Sequence, residues 1–367
     1  MNNQSSSLLV KDIGEQGLLQ ILQRFCPAEI IGDDAAVIAT EPEQFVVVTT
    51  DVLVDKIHFS EITTSAEDVG WRAAAANLSD LAAMGASTLG ITVGLGLPGD
   101  VSVSWVEQMY TGMTQCLQQY NTPILGGDVV RSPVITVAIT AFGQAYPQRI
   151  IRRNQAQVGD AIVVTGVHGA SQAGLELLLH PEKAKNLSQE ETKALIRTHQ
   201  RPKPRLDVLP ILWQIFDSSY TPIPPHTPGA TTGGTPATHW LPYTPISHFP
   251  VSGMDSSDGL ADAVVQICRA SKVGAVIERT QIPIPQVFDH WLTKEQALQY
   301  SLYGGEDFEL VLCLPKQPAD KLVQILGQGA AVVGEIIDGS TVVLKDQKKE
   351  FPDQVLTLNQ GFQHFGQ

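Results

Sequence analysis

The chain has 367 residues, 43% of them hydrophobic, and a formal net charge of −14 at pH 7. That length suits two domains with a substantial core. The charge, with no basic stripe or long Lys/Arg run, excludes a nucleic-acid surface.

Residues 1–7 lack the basic-then-apolar order of a signal peptide, and no apolar run reaches membrane-spanning length. The four cysteines, at 26, 116, 268 and 313, stand too far apart for a CxxC pair or a zinc knuckle. The expectation is a cytoplasmic protein with no membrane partner and with buried structural thiols.

In chain order, Asp33-Asp34 comes first, between the apolar runs Ile30-Ile31 and Ala35-Ala36-Val37-Ile38. A solvated turn explains two such acids poorly, and Asp34, which leads into the apolar run, is the predicted metal ligand. Phe45 to Thr50 is a β-rich run ending in Asp51, which puts that acid at the mouth of a buried strand. Ser65-Ala66-Glu67-Asp68 resembles a capping box, with Asp where Glu or Gln is usual, and opens an Ala-rich helix to about Met84. Asn77 and Asp80 share a face of that helix, and an ionised Asp80 among Ala and Leu is costly to bury unpaired.

Thr88 to Leu95 is strand-like, Ser102 to Tyr120 helical, and Pro133 to Phe142 strand-like again. Gly94-Leu95-Gly96-Leu97-Pro98-Gly99 matches GxGxxG, but Pro98 stiffens it and the helix starts late. A strand-to-helix loop is preferred over a dinucleotide site. Gly126-Gly127-Asp128 follows a strand end, where its glycine amides could meet phosphate or simply turn the chain.

A second unit begins near Tyr146. It holds a strand at 161–166, helices at 170–179, 189–199, 206–216 and 260–270, and strands at 273–277 and 308–314. Gly166-Val167-His168-Gly169 is a possible amide cradle. His199 to Arg205 could serve a helix C-terminus or reach phosphate. Arg152 and Arg153 could clamp a polyphosphate. Residues 218–254 contain no Asp, Glu, Lys or Arg and eight of the 23 prolines, so a long surface loop or insertion is expected there. Asp255 and Asp258 bracket Ser256-Ser257 before the helix at Leu260; two acids plus two hydroxyls exceed what a helix cap requires.

Converging carboxylates repel: two about 5 Å apart at an effective dielectric near 20 do so by roughly 3 kcal/mol. Hard, oxygen-seeking ions answer that repulsion, and magnesium commonly bridges a few carboxylates to substrate phosphates. A multi-metal, phosphate-handling site is the reading. A divalent-ion or nucleotide-sensing module without turnover, and a dehydrogenase, are the alternatives.

Taken together, Ile31-Gly32-Asp33-Asp34-Ala35, Thr49-Thr50-Asp51, His58-Phe59, Asn77-Leu78-Ser79-Asp80, Gly126-Gly127-Asp128, Gly159-Asp160, His199 through Arg205, Asp255 through Gly259, Gly304-Gly305-Glu306-Asp307 and Gly361 through Phe365 span the chain in one collinear order. In that order they resemble the thiamine-monophosphate kinases, within the superfamily of aminoimidazole ribonucleotide synthetase.

The resemblance implies an α/β fold of two domains, 1–145 and 146–367, the second carrying the 218–254 insertion, and a homodimer paired through the N-terminal sheets. It implies transfer of the ATP γ-phosphoryl group to thiamine monophosphate with several magnesium ions. By the same resemblance Asp34, Thr49, Thr50, Asp51, Asp80, Asp128, Asp255 and Asp258 would bind magnesium. Tyr110, Gly127, Asp128, Arg153 and Ser257 would contact ATP, and His58, Glu306 and Phe362 the thiamine phosphate. Asp51, Asp80 and Asp128 are the acids assigned to catalysis. The chain departs from the family pattern at Lys56, often Gly, at Val129-Val130, where hydroxyl residues are common, at Ser256, usually branched and apolar, and in the insertion.

Overall fold

The computed structural model describes residues 8–28, 30, 35–219 and 249–358. Asp34, Phe362 and the central part of the proline-rich segment lie outside the described residues.

The first half runs α1 (Val10–Leu22), β1 (Phe45–Val54), α2 (Ala66–Ala83), β2 (Ser87–Leu97), α3 (Val103–Gln118), β3 (Ile124–Arg131) and β4 (Thr136–Ala145). Its four strands form one sheet in the order β1-β4-β2-β3, parallel only between β2 and β3. Strand β4 alternates in burial along its whole length, so Val137, Ile139 and Ala141 face inward with Val93 and Leu95 of β2. Helices α2 and α3 cover that face. They approach closely because a Cβ on Gly70 would stand 1.8 Å from the Met109 carbonyl oxygen, and one on Gly112 1.8 Å from that of Glu67. The other face is open, with Val46, Val48, Val52 and Val130 each more than 40% exposed.

The second half runs β5 (Ala161–Val164), α4 (Ala170–Leu179), α5 (Gln189–Gln200), α6 (Val208–Ser219), β6 (Ser252–Asp255), α7 (Leu260–Ser271), β7 (Gly274–Glu278), α8 (Phe288–Trp291), α9 (Lys294–Tyr303), β8 (Leu310–Leu314), α10 (Lys316–Leu326), β9 (Ala331–Ile337), β10 (Val342–Lys345) and β11 (Gln354–Val355). Its strands form a mixed sheet ordered β11-β10-β7-β9-β5-β8-β6. Ala161 and Val163 face α6 and α10, while Ile162 and Val164 face α7. Both faces of β5 and β8 are therefore covered, which is why these strands read as unbroken apolar runs.

Three expectations are corrected. Gly94 to Leu97 lie inside β2, so only Pro98-Gly99 of the GxGxxG match belongs to the strand-to-helix loop. Gly126-Gly127-Asp128 lies within β3, not at a strand end, and a Cβ on Gly127 would stand 2.0 Å from the Val93 carbonyl oxygen. The proline-rich segment is narrower than 218–254: α6 continues to Ser219 and β6 starts at Ser252. Its return is anchored by Phe249, stacked 5.8 Å from Trp213 and 5.2 Å from Phe216. Cys116, Cys268 and Cys313 are buried free thiols, and Cys26 is half-buried. Among the described residues no helix is long and apolar enough to cross a membrane.

Candidate active site

A cavity of about 820 Å³ opens between the two sheets. Its acidic end is built by three elements. Asp51 comes from β1, Asp80 from α2, and Asp255 and Asp258 from the end of β6 and the turn after it. Local bonds fix each element. Asn77 accepts from the Asp51 backbone N–H at 3.2 Å, tying α2 to β1, and the Thr49 hydroxyl donates to Asp80. Ser79 donates to Asp255 at 2.6 Å and Ser257 donates to its other oxygen at 3.1 Å. The shared helix face expected for Asn77 and Asp80 is thus present and turned toward β1.

Burial, reinforced by Asp255 and Asp258, pushes Asp51 up to about 6. Asp80 and Asp255 are raised as well, by burial first and then by acid neighbours: Asp51 for Asp80, and Asp80 for Asp255. Arg153 pulls the other way on Asp80. The cluster thus carries more negative charge than its surroundings neutralise. Among the described residues no three of His, Cys, Asp and Glu form a ready cage for a metal ion. The donor set nonetheless fits magnesium, which binds hard oxygens and is usually held by one or two carboxylates with water and substrate phosphate completing its shell.

The rest of the cavity lining is apolar and polar in turn, with Phe59, Leu175, Leu179 and Phe308 together with His58, Glu306 and Arg72. His58 accepts the Val54 backbone N–H at Nδ1, 3.0 Å away, so a neutral ring carries its proton on Nε2. Lys56 holds φ 66°, the left-handed region that explains why glycine suits this position, and the turn forms regardless. The next acid along from Glu306, Asp307, turns away from the cavity. It accepts from the backbone N–H groups of Gly169 at 2.6 Å and Ser171 at 2.9 Å, filling the α4 N-terminus where an amide cradle was expected. Burial pushes Asp307 up to about 7 even so.

Other predicted residues fall elsewhere. Thr50 is among the residues that line the cavity, but its hydroxyl points to the opposite sheet face from Thr49 and bonds Thr140 at 2.9 Å, as alternation along a strand requires. Asp128 is in the row Val52–Ala138–Gly94–Asp128, which also belongs to the open face, and accepts only its neighbour Val129 N–H among its described hydrogen bonds. It does not line the cavity. Tyr110 is buried on α3, 5.4 Å from the Phe25 ring, and does not line it either. Ser257 lines the cavity, while the exposed Arg153 bonds Gln266 at 2.7 Å beside α7. Asp258 does not cap α7, whose N-cap position is Gly259 at φ 102°.

His199 to Arg205 forms a strap between the two halves. Trp71 donates to the Pro202 carbonyl at 2.8 Å, Tyr120 to that of Pro204 at 2.9 Å, and Arg201 pairs with Glu67 and Asp68. Sequence reasoning also missed Arg72. Its signal was a lone cation inside Trp71-Arg72-Ala73-Ala74-Ala75, which burial would force to find a partner.

Two family models match the chain: AIR synthase related protein, N-terminal domain, over residues 32–145, and its C-terminal domain over 250–347. The thiamine-monophosphate kinase of Synechococcus elongatus is 48% identical over 97% of this chain and 98% of its own length. The chain belongs to the thiamine-monophosphate kinase family. The solved thiamine-monophosphate kinase of Stenotrophomonas maltophilia superposes with a TM-score of 0.70 at 29% identity, covering 86% of this chain and 89% of that one. A structure described as AaThiL complexed with AMPPCP and TMP gives 0.65 at 27% identity, covering 96% and 100%. The family resemblance and the two-domain α/β fold read from the sequence are both borne out.

Proposed function

We propose that this chain transfers the γ-phosphoryl group of ATP to the phosphate of thiamine monophosphate, giving thiamine diphosphate and ADP. The observation that carries this reading is one cavity lined both by four acids and by a further carboxylate, Glu306, among apolar side chains. The four acids suit a polyphosphate brought with cations; Glu306 and the apolar side chains suit a cationic aromatic acceptor. A family member complexed with AMPPCP, an ATP analogue, and TMP supports the same pairing.

Asp51, Asp80, Asp255 and Asp258 are the residues that would hold magnesium, with Asp34 a further candidate. Magnesium, when bound, screens the two substrate anions and steadies charge on the transferring group. The chain's own residues supply alignment. Thr49 orients Asp80, Ser79 and Ser257 orient Asp255, and Asn77 holds the β1 backbone at Asp51. Arg153 and Ser257 are assigned to ATP, and His58, Glu306 and Phe362 to the acceptor. The acceptor phosphate is already ionised near neutrality, so in-line attack by its oxygen needs no general base.

The open face of the first sheet, with its four exposed valines, supports a homodimer through that surface. Asp128 and Thr50 lie on it, so their proposed metal roles belong to a site that the second copy helps to cover. A division at 145/146 and a cytoplasmic location complete the proposal. The test is chromatographic detection of thiamine diphosphate from ATP, thiamine monophosphate and magnesium. Product only when all three are present is expected; ATP consumption without thiamine diphosphate would overturn the assignment.

A further inference from the structure

We propose that Arg72 is a positioning residue for the acceptor: it pins the Glu306 carboxylate in the cavity wall, where that carboxylate receives the cationic head of thiamine. The inference rests on the kinase reading above and adds a residue to it.

Arg72 projects from α2 and is 2% exposed. Its NH2 pairs with Glu306 Oε1, and its NH1 lies 3.2 Å from His199 Nε2 and 3.4 Å from the Thr64 hydroxyl. A guanidinium can only donate, so His199 Nε2 accepts and the imidazole proton sits on Nδ1. That nitrogen is 3.1 Å from the Ser171 hydroxyl and 3.6 Å from Glu306 Oε2. Burial, and the Arg72 charge beside it, push His199 down to about 3, so the ring stays neutral. Among the described residues Glu306 is the carboxylate that balances Arg72.

Glu306 is held from every side. Its backbone N–H donates to the Ser257 carbonyl at 2.8 Å, and the adjoining Asp307 is locked onto the α4 N-terminus. Its backbone sits at φ 67°, outside the relaxed range for a side chain of its size. Its side chain is still 34% exposed, lining the cavity with Phe59, Leu175 and Phe308. A carboxylate held by Arg72 in a cavity wall that also carries apolar side chains is preorganised for a ligand that brings positive charge and N–H donors. Thiamine has both, in its thiazolium ring and its aminopyrimidine.

The test compares wild type, Arg72→Met, Glu306→Gln and the double variant, with thermal melting as a fold control. Losing a charge-assisted bond costs roughly tenfold to a hundredfold. Arg72→Met should raise the KM for thiamine monophosphate by about tenfold or more while the KM for ATP stays near wild type. Unphosphorylated thiamine, used as a competitive probe, should weaken in parallel. The double variant should be no worse than Glu306→Gln alone. An unchanged acceptor KM overturns the proposal. So does a raised KM with undiminished thiamine affinity, which would place Arg72 on the acceptor phosphate, or losses that multiply in the double variant. Should Arg72→Met fail to fold, Arg72→Lys, which keeps the charge but not the fork, carries the same comparisons. If wild type itself makes no thiamine diphosphate, the kinase reading fails; calorimetric binding of thiamine to wild type and variant then decides the Arg72 claim separately.

Discussion

Replacing Asp51 with Asn should make the metal-free protein more stable and the enzyme inactive. Asp51 is raised from 3.8 to about 6 in the folded chain. Below 3.8 the carboxyl is neutral folded and unfolded, and nothing is lost. As pH rises through about 6 the folded form must carry a charge it resists, and that stability is lost. Two pK units correspond to about 3 kcal/mol, and water reaching the cavity reduces this to roughly 1–3 kcal/mol. Asn is neutral throughout, so its gain should appear between pH 4 and 6 and stay level above. In a chain this long that is a rise in melting temperature of roughly 2–6 °C in EDTA at pH 8. Added magnesium should raise the melting temperature of wild type more than that of the variant. ADP release should fall by about a hundredfold or more. A variant that melts below wild type in EDTA, or that retains wild-type turnover, would refute the reasoning.

Val52→Glu places a charge in the middle of the open apolar sheet face, and light scattering should show a dimer becoming a monomer; an unchanged mass would remove that face as the interface. His199 bears on acid stability. Its folded value is depressed to about 3, so wild type should lose stability as pH falls from 6.5 toward 3, while His199→Gln should lose less over that window. Melting curves at matched ionic strength check this, and parallel curves would contradict it.

Much of the acidic end was legible because an ionisable residue inside an apolar run has few bland explanations. Asp51 and Asp80 each stood by such a run and Asp255 in a pair of acids with two hydroxyls before a helix, and all three meet in the cavity. Strand alternation already separates the Thr50 hydroxyl from that of Thr49, although Thr50 also lines the cavity. Asp128 needed the register of three strand pairs before its face could be known. Glu306 and Asp307 are adjacent acids with different tasks, one in the cavity wall and one on a helix terminus, and only tertiary packing tells them apart. Arg72 and His199 meet across 127 residues of chain, a distance no local pattern spans. Strands β6 and β10 are four residues long and β11 two, too short for any periodicity to announce them.

Anomalous diffraction from crystals grown with manganese, AMPPCP and thiamine monophosphate tests the role of the acidic cluster most directly. Peaks ringed by Asp51, Asp80, Asp255 and Asp258, between the two bound phosphates, are the expected result. Nucleotide bound with no anomalous peak near those four carboxylates would contradict it.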